Sequence, residues 1–371
     1  MTIKLLKKNY ILKKIYFLNL LAIILILITC EILFRVFHKE NCINNCSIKN
    51  IFSPNVSSND PIVNTAKNFI VPDEVIGYKL NSNYENIINL PNAGWFNILI
   101  KTDSNGFRID NKNIKNNAFA NTLVVGDSFT FGDQVNNEDG WPDCISKKLK
   151  INVDNAGVGG YSAYQAYLRI NYEMSKRNYD SVIQSILVGH DFQRDGYLYQ
   201  YGFPRPYIDS SLEDEYDFKK NGYLKGSLFN PDRKFIISFL YKYIYIFSVI
   251  VDKYLPRLDF NGIRVDVKKN NFDSKILMNI VVEKFSKIKI KNKIFLLQYG
   301  SDINGVNIQE ERLYLTKLLI SNKIKYIDTY DILNKYTIPE LWFVELKNQH
   351  HKPFANKEVC NLIATNFDLL K

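Results

Sequence analysis

Five short apolar runs, each bounded by turn residues and succeeded by a helical pattern, govern how this chain can fold. They are Leu123-Val-Val125, Ile151-Asn-Val153, Ser181-Val-Ile-Gln-Ser-Ile-Leu-Val188, Lys293-Ile-Phe-Leu-Leu-Gln298 and Ile324-Lys-Tyr-Ile-Asp328. Runs this short and this apolar suit strands buried on both faces of a parallel sheet. Helical patterns cover Trp141 to Leu149, Ser162 to Lys176, Ile276 to Ile288, Ile308 to Asn322 and, amphipathic to the end, Ala355 to Leu370. Strand–helix alternation predicts an α/β domain, a parallel sheet with helices on both faces.

The N-terminus obeys a different rule. Residues 1 to 14 carry Lys4, Lys7, Lys8, Lys13 and Lys14 and no acid, and Ile15 to Cys30 is apolar apart from Asn19 and Thr29. A membrane span needs about 20 residues, so Leu12 to Phe34 suffices if Glu31 lies at the far interface. The basic flank keeps the N-terminus cytoplasmic and exports the remainder. No small-x-small site follows the apolar run, and Thr29 before Cys30 departs from a lipoprotein box, so an uncleaved anchor is expected. The expected location is the inner (cytoplasmic) membrane, single-pass, with the folded part in the periplasm or at the cell exterior.

The chain then divides. Residues 1–37 are stub and anchor; 38–67, dominated by Asn, Ser and Pro, are a tether. Residues 68–118 form a small β accessory element containing Pro72 to Leu80, Gly94 to Thr102 and Asp103-Ser-Asn-Gly-Phe-Arg108. Residues 119–371 form the α/β domain, with an insertion dense in Tyr and Phe at 195–260. Within that insertion Phe235 to Val251 is apolar but only about 17 residues long. A second span there would split the sheet across a bilayer, so a lid or membrane-facing amphipathic helix is expected.

The formal net charge of +10 comes from scattered lysines, with no arginine-rich or aromatic-interleaved stripe. That argues against a nucleic-acid partner and leaves a solvated surface compatible with anionic lipid or polysaccharide. The five cysteines and four histidines include no zinc-ligand spacing, and neither a metal nor a cofactor is expected. Cys42 and Cys46 flank a short loop that an oxidising compartment can close.

Four stretches carry chemistry. In Thr122-Leu-Val-Val-Gly-Asp-Ser-Phe-Thr-Phe-Gly-Asp133 a strand ends in Gly126 and places Asp127-Ser128 in a tight turn. A polar pair at the carboxyl end of such a strand lies where open α/β sheets build sites; Ser128 is either a nucleophile near backbone N–H groups or a helix cap. Next is Asn155-Ala-Gly-Val-Gly-Gly-Tyr-Ser-Ala-Tyr-Gln165, where three glycines imply close backbone approach. Leu187-Val-Gly-His-Asp-Phe-Gln-Arg194 ends another strand, and Asn348-Gln-His-His-Lys-Pro-Phe-Ala-Asn356 precedes the last helix. Apart from His38, the histidines all lie at strand-to-helix junctions.

Taken in this order the four stretches resemble the blocks of the SGNH (GDSL-like) hydrolase superfamily, over roughly Asp73 to Leu370. The resemblance implies a three-layer α/β/α flavodoxin-like fold and a serine acyl-enzyme. It assigns the nucleophile to Ser128, the oxyanion hole to the N–H groups of Ser128 and Gly160 with His190 as third donor, and the base to His350. Asp127, Asp191, His351 and Arg194 are expected to support them; Arg194 and Arg108 either bind an anionic group of the substrate or pair at the surface. The sequence departs from the family in having His190 for the usual Asn, and in lacking an Asp two or three residues before His350. There stand Lys347 and Asn348, the latter able to orient a catalytic His, while Glu345 lies five residues back. A Ser–His dyad therefore stays open. The functional expectation is an esterase or deacetylase acting on acylated carbohydrate or lipid of the cell surface. The alternatives are acyl transfer to surface polysaccharide by the same serine, and a non-catalytic glycan-binding or assembly protein.

Overall fold

A computed structural model describes residues 69–90, 95–109, 121–195, 273–342 and 350–366, together with 19, 22, 25–33, 199–200, 203–206, 208–209, 214–215 and 244. The accessory element consists of two antiparallel hairpins, β1 (Ile70–Asp73) with β2 (Gly77–Leu80), and β3 (Glu85–Leu90) with β4 (Trp95–Lys101). Asp73 closes the first turn by accepting from the Val75 and Ile76 amides at 2.9 and 3.1 Å. Along β4, Ile98 and Ile100 alternate onto the covered face, and Trp95, out of phase with them across Asn97 at φ 55°, is buried as well.

The main sheet is built from β5 (Asn121–Val125), β6 (Asn152–Asn155), β7 (Ser181–Leu187), β8 (Asn292–Gln298) and β9 (Lys325–Asp328). These are the five expected strands, with ends shifted by a residue or two. Their order is β9-β8-β7-β5-β6, all parallel. Numbered from its first strand, this is the flavodoxin-like order 2-1-3-4-5. Helix α1 (Ser128–Phe131) follows β5 directly, and α2 (Trp141–Leu149) completes the crossover to β6. Next in the chain are α3 (Ala163–Met174), the short α4 (Asp191–Arg194), α5 (Ser274–Ser286), α6 (Val306–Ser321) and α7 (Pro353–Thr365). Right-handed crossovers that run in opposite directions lie on opposite faces of a sheet. The β5-to-β6 step runs one way and the three later steps run back, which sets α2 against α3, α5 and α6. Helix packing agrees: α2 packs with α7, and α5 packs with both α3 and α6.

Two apolar clusters hold the described part together. The larger is centred on β5, β7 and β8, whose inward residues, among them Leu123, Val124, Ile183, Ile186, Leu296 and Leu297, are fully buried. The smaller joins Phe69, Tyr78, Trp95 and Ile100 of the accessory element to Phe131, Val158 and Tyr161 of the main domain. The accessory hairpins thus pack beneath α1 and the glycine-rich loop. Cys144 of α2 and Cys360 of α7 form a disulfide across 216 residues.

The chain divides into two compact units, residues 1–58 with 226–261, and residues 59–225 with 262–371. In the first, the described residues of the expected anchor, among them Leu25 to Leu33, are helical, with Leu25, Ile26, Leu27, Ile28 and Leu33 exposed. Among the described residues no helix is long and apolar enough to cross a membrane. Twelve of the 23 residues of the expected span from Leu12 to Phe34 lie outside the described residues. So do the tether, Cys42 and Cys46, and all of Phe235 to Val251 except Ile244.

Candidate active site

Gly126 makes the turn after β5 possible. A Cβ there would meet Thr130 Oγ1 at 2.3 Å and the Ser185 carbonyl oxygen at 2.9 Å, so no larger residue fits between β5 and β7. Asp127 caps α1, its carboxylate accepting from the Phe129 amide at 2.9 Å. Ser128 is the first residue of α1 and is buried. After one turn Gly132, at φ 87°, ends the helix and returns its N–H to the Ser128 carbonyl at 2.9 Å.

His350 reaches this serine. Its Nε2 lies 2.8 Å from Ser128 Oγ, and its backbone N–H donates to Gln134 Oε1 at 3.3 Å. Three neighbours later in the chain fix the backbone that carries the ring. His351 bridges to Trp342, the Lys352 amide donates to Leu341 O at 2.7 Å, and Pro353 opens α7. His351 has a different environment. It is buried, and its Nε2 donates to the Tyr299 carbonyl at 3.1 Å, a bond that requires the proton on that nitrogen. Burial pushes its pKa down to about 4, so it is a neutral core side chain. The Phe129 ring packs against both imidazoles, with centroids at 5.1 and 4.7 Å. Asn348, expected behind His350, falls outside the described residues, as do Lys347 and Glu345.

The glycine-rich loop is held against the serine turn by backbone bonds. Ala156 N donates to Val124 O and Val158 N to Gly126 O, at 2.9 and 3.0 Å. Gly157 lies so close to α1 that a Cβ would stand 2.5 Å from the Phe131 nitrogen. Asn155 ties its own loop to α1, donating to Thr130 O at 3.1 Å and accepting from the Gly157 amide at 3.0 Å. Gly160 sits in this loop at φ 74°, buried, and its carbonyl accepts from Arg205 at 3.2 Å. The start of the aromatic insertion therefore returns beneath the site.

Two expectations change. Arg194 pairs inside the protein, not at its surface. It is mostly buried and donates to Asp127 at 2.8 Å, Asp191 at 2.5 Å and the Tyr161 carbonyl at 3.3 Å, joining three site loops at one guanidinium. Asp191 in turn accepts from the Leu187 amide at 2.8 Å. Its pKa is raised by burial and by the Asp127 charge, against Arg194. Arg108 is internal as well. It donates to the carbonyls of Phe131, Gly132 and Val135 at 2.7, 2.5 and 2.6 Å and lies over the Phe131 ring at 4.5 Å. Carbonyls left open at the end of a helix want such a cation. His190 gives its Nε2 to Asp302 Oδ2 at 3.0 Å, so the oxyanion reading for this residue rests on its other ring nitrogen.

Sequence reasoning passed over Asp133. Its Oδ2 lies 3.7 Å from His350 Nε2, beside the nitrogen that meets the serine. Burial raises its pKa to about 7; Arg108 and Arg194 pull it down and Asp127 pushes it up. The residue ends the strand–turn stretch in the sequence, but nothing local shows that it turns back toward a histidine 217 positions later. Among the described residues no group of three or more His, Cys, Asp or Glu is arranged to hold a metal.

No family model matches this chain, and no curated protein matches it. Solved structures do. A lipolytic protein of the G-D-S-L family from Desulfitobacterium hafniense DCB-2 is 16% identical, with 66% of this chain and 98% of that chain covered and a TM-score of 0.37. Another member of the lipolytic G-D-S-L family, from Veillonella parvula DSM 2008, is 16% identical over 67% of this chain and 98% of that one, with a TM-score of 0.39. An acetylxylan esterase from Geobacillus stearothermophilus is 10% identical over 69% and 96%, with a TM-score of 0.37. Likeness at this level leaves the function to the geometry of the site.

Proposed function

We propose that this protein is a serine esterase or deacetylase of SGNH hydrolase type, anchored in the cytoplasmic membrane and acting outside it on acylated carbohydrate or lipid. The observation that carries the reading is the 2.8 Å contact between Ser128 Oγ and His350 Nε2 at the carboxyl end of a central parallel strand. Nucleophile and base within hydrogen-bond reach are the signature of covalent acyl transfer. His350 takes the proton as Ser128 Oγ bonds to the acyl carbon. The N–H groups of Ser128 and Gly160 receive the oxyanion, and His350 returns the proton to the departing alkoxide. Water then releases the acid by the same steps in reverse order. Loss of one oxyanion donor typically raises such a barrier by about 2.7–4 kcal/mol, so a two-donor hole lets the chemistry proceed more slowly than a three-donor one.

The basic flank and apolar run before residue 37 support the anchor. The Cys144–Cys360 disulfide supports an oxidising compartment. Detergent-solubilised full-length protein is expected to take up a fluorophosphonate probe at Ser128, with labelling lost in Ser128→Ala. Absence of labelling in folded wild-type protein ends the esterase reading. A membrane-impermeant form of the probe, applied to intact spheroplasts, is expected to label the same serine; labelling only after lysis ends the export reading.

A further inference from the structure

We propose that Asp133 is the counter-charge of His350, a positioning residue that stabilises the imidazolium formed when the serine gives up its proton. This role rests on the Ser128–His350 reading and deepens it. Three observations point to it.

The first is placement. Asp133 Oδ2 stands 3.7 Å from His350 Nε2, the same nitrogen that lies 2.8 Å from Ser128 Oγ. A carboxylate there faces the proton at the moment it arrives. It differs in this from a carboxylate behind the ring, which would act through the other nitrogen.

The second is the backbone that holds it. Asp133 lies between two left-handed residues, Gly132 at φ 87° and Gln134 at φ 67°. The second is uncommon for a residue with a side chain and persists only where the surroundings impose it. Here they do. The Asp133 amide donates to Ser128 O at 3.0 Å, and Arg108 grips the carbonyls on either side of the turn. The outcome of this conformation is that Asp133 and Gln134 both face His350, one at the ring and one at the backbone N–H.

The third is charge. The side chains of Asp133 and His350 are 12% and 11% exposed, so a carboxylate at this spot is costly unless a positive partner meets it. The charged groups that act on Asp133 are Arg108, Arg194 and Asp127, besides His350 itself. Arg108 is engaged with three backbone carbonyls, and Arg194 with the carboxylates of Asp127 and Asp191. The imidazolium brings a cation to Asp133 at the step that needs one. With its pKa raised to about 7 by burial, the Asp133 carboxyl ionises from neutral pH upward.

The test tracks His350 itself, with ring-13C-labelled histidine in the full-length protein and NMR titration of wild type and Asp133→Asn. An opposite charge within about 4–6 Å shifts a pKa by about 1–3 units. The His350 midpoint is therefore expected to fall by about one pH unit or more in Asp133→Asn. The acid limb of the labelling rate at Ser128 is expected to move with it, and Asp133→Glu to restore part of the shift. An unchanged His350 midpoint overturns the proposal, as does a labelling rate that drops with its midpoint fixed, which is the mark of a packing role alone. Should Asp133→Asn fail to fold, Asp133→Ser carries the same titration. Because the NMR midpoint needs no turnover, a shifted midpoint without any labelling of the wild type would sink the esterase reading and leave the electrostatic coupling standing.

Discussion

Two adjacent histidines show how far environment, rather than residue type, sets a role. His350 and His351 differ by one position, yet one faces Ser128 Oγ and the other is sealed against Tyr299 O with its pKa near 4. Only the first has a ring nitrogen facing a hydroxyl with which it can exchange a proton. His350→Ala is expected to cut the rate of fluorophosphonate labelling by about a thousand-fold or more, the scale on which serine hydrolases lose activity with their base. His351→Ala is expected to lower the melting temperature through the buried space it empties, while the protein that remains folded labels within about tenfold of wild type. Labelling rates and thermal melts on both variants decide the matter, and the opposite pattern would hand the base role to His351. At this scale the sequence was legible where motif spacing carried information. Ser128 and His350 could be matched through Gly126 before one and Pro353 after the other. Asp133 could not, because its side chain is aimed by a left-handed turn and by Arg108, and neither leaves a local pattern.

At the scale of elements, periodicity identified the strands and helices of the sheet, since burial on two faces leaves an apolar run that few other structures tolerate. Helix Trp141–Leu149 was legible to the residue, with Pro142 near its start and Lys147 and Lys148 in its last turn. The accessory hairpins were legible as β structure but not as the support of α1 and the glycine-rich loop. That depends on Phe131, Val158 and Tyr161 completing their core, a long-range packing outcome. The Cys144–Cys360 disulfide was illegible for the same reason: the two residues meet only because α2 and α7 pack together. This bond ties the helix after His350 to the helix after the serine turn. A native disulfide closing a long loop typically contributes about 2–5 kcal/mol. Cys144→Ser is therefore expected to lower the melting temperature measurably, and reductant to do the same to wild type but not to the variant. Equal melting of the oxidised and reduced wild type would show that α7 is held by packing alone.

For the molecule as a whole, the strand order places Ser128 and His190 at the carboxyl ends of β5 and β7, the adjacent strands between which the crossovers reverse direction, where open α/β sheets leave a crevice. Crowding polar groups into and around that crevice has a consequence for stability. Burial raises the pKa of Asp133, Asp195 and Glu311 from ordinary carboxylate values to about 7. Each therefore holds its proton more tightly folded than unfolded. The stability this contributes is full below the unfolded pKa, near 4, and is lost as pH rises through about 7. His351 works the other way: its pKa falls from 6.5 to about 4, so its contribution is full above 6.5 and lost as pH falls toward 4. Between about pH 4 and 6.5 the carboxyls oppose one imidazole; from 6.5 upward the carboxyls act alone. The melting temperature of the full-length protein is accordingly expected to fall by several degrees between about pH 6 and pH 8, opposite to the trend for a protein stabilised by paired surface carboxylates. Differential scanning calorimetry across that range reads it directly. Glu311 accepts from the Gly189 amide at 2.7 Å, away from the Ser128–His350 pair, so Glu311→Gln is expected to flatten the slope without shifting the acid limb of labelling. A melting temperature that climbs steadily from pH 6 to pH 8 would mean that these carboxyls are ionised in the folded protein, with Arg108 and Arg194 outweighing burial at Asp133.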